Sequence, residues 1–197
     1  QYAREFKKVI KLLAIVKEND GRLELRVHPT MIPQNHPLAN VYDSFNAVFI
    51  KGNAVGDLMF YGRGAGNLPT GSAVVSDIVS ILRSNIDIDN LNPVVKNNLW
   101  DKEIDSIRDI TSKYYIRLTV EDRPGVLGEI TSVFGGMNVS LLSVIQKGID
   151  NDNENKVTLV LVTHYTKEEN IIESIDSICK LNSVYKINNL IRIEEFN

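Results

Sequence analysis

Apolar and polar positions change period several times along the chain, and each change marks an element. Lys8–Lys17 (KVIKLLAIVK) is β-branched and aliphatic, and Arg22–Val27 (RLELRV) alternates with the period of two that a strand requires. Asn19-Asp20-Gly21 between two such runs signals a hairpin. The strand ends at His28–Pro33, and Pro33, Asn35 and Pro37 predict an irregular loop with a short helical turn over His36–Val41. Ser44–Lys51 (SFNAVFIK) and Leu58–Tyr61, joined across Gly52–Asp57, predict a second hairpin. Two successive hairpins predict an antiparallel sheet. From Ser72 the period becomes helical, with Val74, Val75, Ile78, Ile81 and Leu82 on one side of Ser72–Arg83. Residues 84–112 are polar, rich in Asn and Asp and interrupted by Pro93, so they predict a linker with at most short helical pieces. Trp100 lies in it and is expected to dock onto a domain.

After the linker the pattern reads strand, helix, strand, strand, helix, strand. Tyr115–Val120 runs into Glu121-Asp122-Arg123-Pro124-Gly125, which hands over to a helix striped by Val126, Leu127, Ile130, Val133 and Phe134. Asp122 is expected to cap that helix, Pro124 to sit in its first turn, and Gly125 to let a ligand or second backbone come close. First-turn N–H groups would then point out of the corner, where a small molecule's carboxylate could sit. Gly135-Gly136 stops the helix, and Asn138-Val139-Ser140 leads into a strand to Gln146. Gly148–Asn155 lacks the glycine and terminal glutamate of a calcium loop and reads as a solvated hairpin tip. Lys156–His164 alternates as a strand, Thr166–Leu181 is a helix striped by Ile171, Ile172, Ile175, Ile178 and Leu181, and Val184–Ile193 closes the sheet.

Composition narrows the function classes. With 197 residues and 43% hydrophobic content, the chain can form two small cores. A net charge of −3 gives no basic footprint for nucleic acid. The one cysteine, Cys179, excludes an internal disulfide, fits a reducing cytoplasm and is expected to be a packing thiol. No apolar run reaches membrane-span length, so neither membrane nor nucleic acid is an expected partner. Three histidines without Cys or carboxylate at ligand spacing predict no metal site, and His28 and His36, beside prolines, are expected to make structural hydrogen bonds. Tyr2–Phe6 reads as the end of a helix already under way, as in a piece of a longer protein.

Two resemblances follow. DRPGVLGEIT at Asp122–Thr131, followed by Phe134 and Asn138-Val139-Ser140, resembles the ACT domain over about Lys113–Glu195. That implies a ferredoxin-like βαββαβ module that binds amino acids, with effector contacts at Asp122, Arg123, Pro124, Gly125, Val126 and Leu127 of one copy and Asn138, Val139 and Ser140 of a partner. The strings RVHPTMIPQNHPLANV and YGRGAGNLPTGSAVVSDI resemble the C-terminal half of homoserine dehydrogenase. The fold class is therefore α+β: an antiparallel-hairpin sheet with helices, followed by the ACT module. The expected division is a substrate/dimerisation domain over residues 1–90, a linker over 91–112 and the ACT domain over 113–197.

The second resemblance implies NAD- or NADP-dependent interconversion of L-homoserine and aspartate 4-semialdehyde, with L-threonine as the expected effector and a homodimer or larger homo-oligomer. The loop Gly64-Ala65-Gly66, with Thr70 behind it, is the implied cofactor contact. From spacing alone, strand, glycine-rich loop and helix N-terminus suit either a phosphate or ribose contact or a tight strand-to-helix turn. The family's GxGxxG segment, substrate-holding acids and acid/base lysine do not occur in this sequence, so no catalytic residue is assigned and no cofactor is expected on this chain alone. The rival reading is an amino-acid-binding module in which residues 1–90 only dimerise.

Overall fold

The computed structural model describes residues 2–83, 102–148 and 155–196. Trp100, most of the expected linker and the acidic tip at 149–154 lie outside them. In chain order come α1 (Tyr2–Glu5), β1 (Lys8–Asn19), β2 (Arg22–Pro33), β3 (Phe45–Gly52), β4 (Gly56–Arg63) and α2 (Asn67–Arg83). Then follow β5 (Thr111–Glu121), α3 (Val126–Gly136), β6 (Leu141–Gly148), β7 (Lys156–Thr163), β8 (Thr166–Lys167), α4 (Glu168–Ile178) and β9 (Val184–Ile193). The chain forms two compact units, one of Gln1–Gln34 with Lys102–Asn197, the other of Asn35–Asp101.

In the first unit the sheet runs β1-β2-β9-β5-β7-β6, with β8 pairing the start of β5. Its C-terminal part is the βαββαβ module. β5 turns Tyr114, Ile116, Leu118 and Val120 toward Val126, Ile130 and Phe134 of α3 and Ile171 and Ile178 of α4, all nearly inaccessible to solvent. Alternation puts Tyr115 on the other face, with Met31, Val160, Val162 and Ile193. Ile172, expected on the buried stripe of α4, is 41% exposed.

The two N-terminal hairpins do not share a sheet, contrary to the pattern's implication. β1 and β2 meet in register from Lys8↔Pro33 to Asn19↔Arg22, closed by Asp20 at φ +50° and Gly21 at φ +80°. Two left-handed residues match the turn to the strands' twist. β2 then pairs in parallel with β9 at Thr30↔Arg192 and Met31↔Ile193, while β3 and β4 form a two-stranded sheet of their own. The reason lies on β2's polar side: Glu24, Arg26, His28 and Thr30 are all buried. Arg26 Nη2 lies 2.5 Å from Glu194 Oε2, Arg26 Nε 2.8 Å from Glu24 Oε1, and Arg26 Nη1 donates to Ser112 Oγ at 2.6 Å. Buried charges need partners, and two of these, Ser112 and Glu194, lie beyond residue 111. The stretch before β5 is also tied down: Leu23 N–H donates to Glu103 C=O (2.9 Å) and Asp105 N–H to Leu23 C=O (2.8 Å).

In the second unit His36 caps the short turn Pro37–Asn40, its Nδ1 accepting from Leu38 N–H at 3.2 Å. α2 begins at Asn67, earlier than the apolar spacing predicts, and leaves its stripe open, with Val75 59% and Leu82 77% exposed. Cys179 is exposed at the end of α4 and is not a packing thiol.

Candidate functional site

The corner between β5 and α3 is built by backbone geometry. Gly125, at φ +96°, stands immediately before the first helical residue, Val126, and carries no side-chain cap. Only glycine enters that region without Cβ strain, so the conformation explains Gly125. Asp122 does not cap the helix, and Pro124 precedes it. Asp122 N–H donates to Asn155 C=O at 2.9 Å, and Asp122 Oδ1 accepts from Gln146 Nε2 at 3.4 Å. The first helical bond runs from Glu129 N–H to Gly125 C=O at 2.9 Å. The N–H groups of Val126, Leu127 and Gly128 precede it and have no acceptor within the helix.

A cavity of about 190 Å³ opens here, lined by Asp122–Leu127 and by Gln146, Val157 and Leu159. Val120, Val126, Val157 and Leu159 give the lining its apolar part, and Asp122 and Gln146 add a carboxylate and an amide. Beside it Arg123 is clamped between Glu121 (Nε to Oε2, 2.7 Å) and Glu129 (Nη2 to Oε1, 2.9 Å), and these bonds raise its pKa. Ser183 Oγ donates to Glu129 Oε2 at 2.7 Å; this bond first, and Arg123 second, hold the Glu129 carboxyl below its ordinary range. The arrangement offers a helix N-terminus for an anion and a carboxylate for a cation within one small volume.

Of the sequence-predicted effector residues, Asp122–Leu127 come together here. Asn138, Val139 and Ser140 do not. They follow the other end of α3, with Asn138 exposed at φ +56°, Val139 buried and Ser140 exposed. Gln146 was missed. Its only signal was a polar residue continuing the alternation of Leu142 and Val144 on β6.

In the second unit Gly64-Ala65-Gly66 form the solvent-exposed turn from β4 into α2, and Thr70 lies in the first turn of that helix. Gly64 N–H donates to Ser44 C=O at 2.9 Å, and a Cβ on Gly64 would fall 1.9 Å from Asn46 Nδ2. Gly66 takes φ +124°, and Thr70 N–H donates to its carbonyl at 3.1 Å. Both glycines are thus explained by the turn itself, while Ala65 and Thr70 remain exposed. Arg63 lies over the Phe45 ring at 4.9 Å, and Phe45 stacks on Tyr61 at 4.8 Å, which fixes the strand end before the loop. Among the described residues no helix is long and apolar enough to cross a membrane.

Residues 1–79 match the family described as homoserine dehydrogenase, and residues 114–180 the ACT domain. The chain is 38% identical over its whole length to a homoserine dehydrogenase of Neisseria gonorrhoeae, of which it covers 46%. It is 39% identical over 98% of its length to one of Synechocystis, again covering 46%. The chain thus spans about half the length of the curated relatives it matches. A solved homoserine dehydrogenase from Thiobacillus denitrificans superposes with a TM-score of 0.81 at 37% identity, over 98% of this chain and 44% of that one. By sequence and by fold, the chain belongs to the homoserine dehydrogenase family as its C-terminal region, and it carries an ACT domain.

Proposed function

We propose that the chain is the C-terminal part of an NAD(P)-dependent enzyme that interconverts L-homoserine and L-aspartate 4-semialdehyde, and that its ACT domain senses L-threonine. The observation that carries this reading is the similarity to whole homoserine dehydrogenases, continuous through both matched segments. Residues 1–90 then serve as substrate/dimerisation domain and 113–197 as regulatory domain in a homodimer or larger assembly. These roles cut the chain differently from its compact units, since the first hairpin packs with the ACT sheet. The reaction belongs to threonine, methionine and isoleucine biosynthesis in the cytoplasm.

A nicotinamide cofactor, when bound, supplies the hydride acceptor. On this chain the exposed turn Gly64-Ala65-Gly66 and Thr70 would meet it from the substrate side. Hydride transfer also needs the dinucleotide domain and an acid/base lysine, so the chain alone is expected not to turn over.

For the effector, the β5–α3 corner suits a zwitterion. Its carboxylate takes the N–H groups at the start of α3, and its ammonium takes Asp122. Asn138–Ser140 of a second copy would close the joint, since one copy holds them at the other end of the helix. Calorimetric titration with L-threonine, against L-homoserine, L-isoleucine and L-serine, tests this. Threonine-selective binding that is lost in Asp122→Ala and Asn138→Ala supports the sensor. Binding that ignores both substitutions, or no binding at all, removes sensing and leaves the family assignment standing.

A further inference from the structure

We infer a second small-molecule site on the face of the first unit's sheet opposite α3 and α4, one that takes a small aliphatic monocarboxylate beneath Phe6. The chain from α1 to the start of β1 lies across this face like a strap. Glu5 pairs with Lys147 on β6, and Phe6 sits edge-on to Tyr115 with ring centroids 6.0 Å apart. On the other side, Gln34 N–H donates to Lys7 C=O at 2.9 Å. Under the strap is a cavity of about 310 Å³, at the lower end of the range for small-molecule sites. Met31, Ile193, Val162 and Leu142, from four strands of the sheet, supply its apolar surface.

Three charged groups also line the cavity. Lys113 Nζ lies 2.5 Å from Glu195 Oε2, and Lys8 Nζ lies 3.5 Å from Glu195 Oε1. The lysine side chains are only 17% exposed and that of Glu195 28%. Both lysine bonds, Lys113's foremost, hold the Glu195 carboxyl below its ordinary range, so it is an anion at neutral pH. Two ammonium groups therefore share one carboxylate at the edge of an apolar space. A ligand carboxylate would balance the pair, with its hydrocarbon part covered by Val162 and Ile193. A zwitterion would bring a third ammonium beside two others, and a neutral head group would leave the imbalance as it is. The site lies across the sheet from the β5–α3 corner and shares no lining residue with it.

The test uses this chain with sodium isovalerate as the probe and isovaleramide as its uncharged match, by calorimetry and ligand-observed NMR. Isovalerate is expected to bind and the amide to bind at least about tenfold more weakly, the scale of one charge-assisted hydrogen bond. Lys113→Met should weaken isovalerate by a similar factor. Ser143→Phe, which narrows the cavity from a half-buried edge-strand position, should abolish binding with the melting temperature retained. Asp122→Ala should leave it unchanged. No binding, equal binding of the amide, or binding that survives Lys113→Met and Ser143→Phe overturns the site.

Discussion

Arg26 on the first hairpin and Glu194 just past the last strand form an ion pair at 2.5 Å, with side chains 2% and 9% exposed. Lys17 Nζ reaches the other oxygen of Glu194 at 2.7 Å. Removing one partner of a buried pair leaves the other charge without compensation. Arg26→Met strands Glu24 and leaves Glu194 with only the half-exposed Lys17, and it should lower stability by about 3–5 kcal/mol. Urea unfolding followed by circular dichroism measures this as a shifted midpoint. A change under about 1 kcal/mol would mean that the pair does not hold the hairpin to the ACT sheet.

His28 makes stability depend on pH. Burial above all depresses its pKa below the ordinary 6.5, with Arg192 and Arg26 adding to it, although the bond to the Pro29 carbonyl and Glu168 oppose this. Its Nδ1 lies 3.1 Å from the Pro29 carbonyl and 3.0 Å from Thr30 Oγ1. A depressed histidine binds its proton more readily in the unfolded chain, so stability is full above about pH 6.5 and falls as the solution is acidified toward the folded pKa. His36, depressed mainly by burial, acts in the same direction. Melting temperature should therefore drop between about pH 7.5 and pH 5.5, and His28→Gln should flatten that slope. An unchanged slope would place the titration elsewhere.

Gly125→Ala tests the corner. The new Cβ meets only Arg123 Nη1 at 3.9 Å, so space is available, but φ +96° is not. The expected cost is about 1–2 kcal/mol in denaturant unfolding. If the corner is the effector site, threonine affinity should fall as well, because the N–H groups of α3 are re-aimed.

Gly64→Ala fails for the opposite reason. Its φ is unexceptional, yet the added methyl would sit 1.9 Å from Asn46 Nδ2. Asn46 must move, so Gly64→Ala should destabilise the second unit, and Gly64→Ala combined with Asn46→Ala should recover most of the loss. Hydrogen exchange over β3 and β4 reads this unit separately.

Much of the ACT module was legible because its elements declare themselves locally. β5, β6, β7 and β9 alternate, α3 and α4 carry helical stripes, and Asp122–Gly125 marks the corner. What alternation cannot show is which strand lies beside which. β2 joins β9 through two residue pairs far apart in the chain, so its hairpin was grouped with β3–β4. Buried charge is equally hidden. Glu168 looks like a surface acid in the first turn of α4, yet it is 3% exposed. It accepts from Tyr114 Oη at 2.5 Å and from Arg192 Nε at 2.7 Å. In the corner, Gln146 and the uncapped helix start follow from packing of β6 beside the turn, which no local pattern encodes. Gly64 and Gly66 suit either a ligand contact or a tight turn in the sequence, and Asn46 and the backbone angle show what the turn itself requires of them.

The pairing of Met31 with Ile193 also sets an order of events during synthesis. Residues near the start of this chain find their sheet neighbours only when residues near its end exist. Until β9 leaves the ribosome, the β1–β2 hairpin has a bare edge, and Arg26 has no carboxylate beyond Glu24. The first unit can therefore close only late, after the intervening residues 35–101 have been made. A nascent chain stalled before residue 184 should hold a protected β3–β4 hairpin and an unprotected β1–β2.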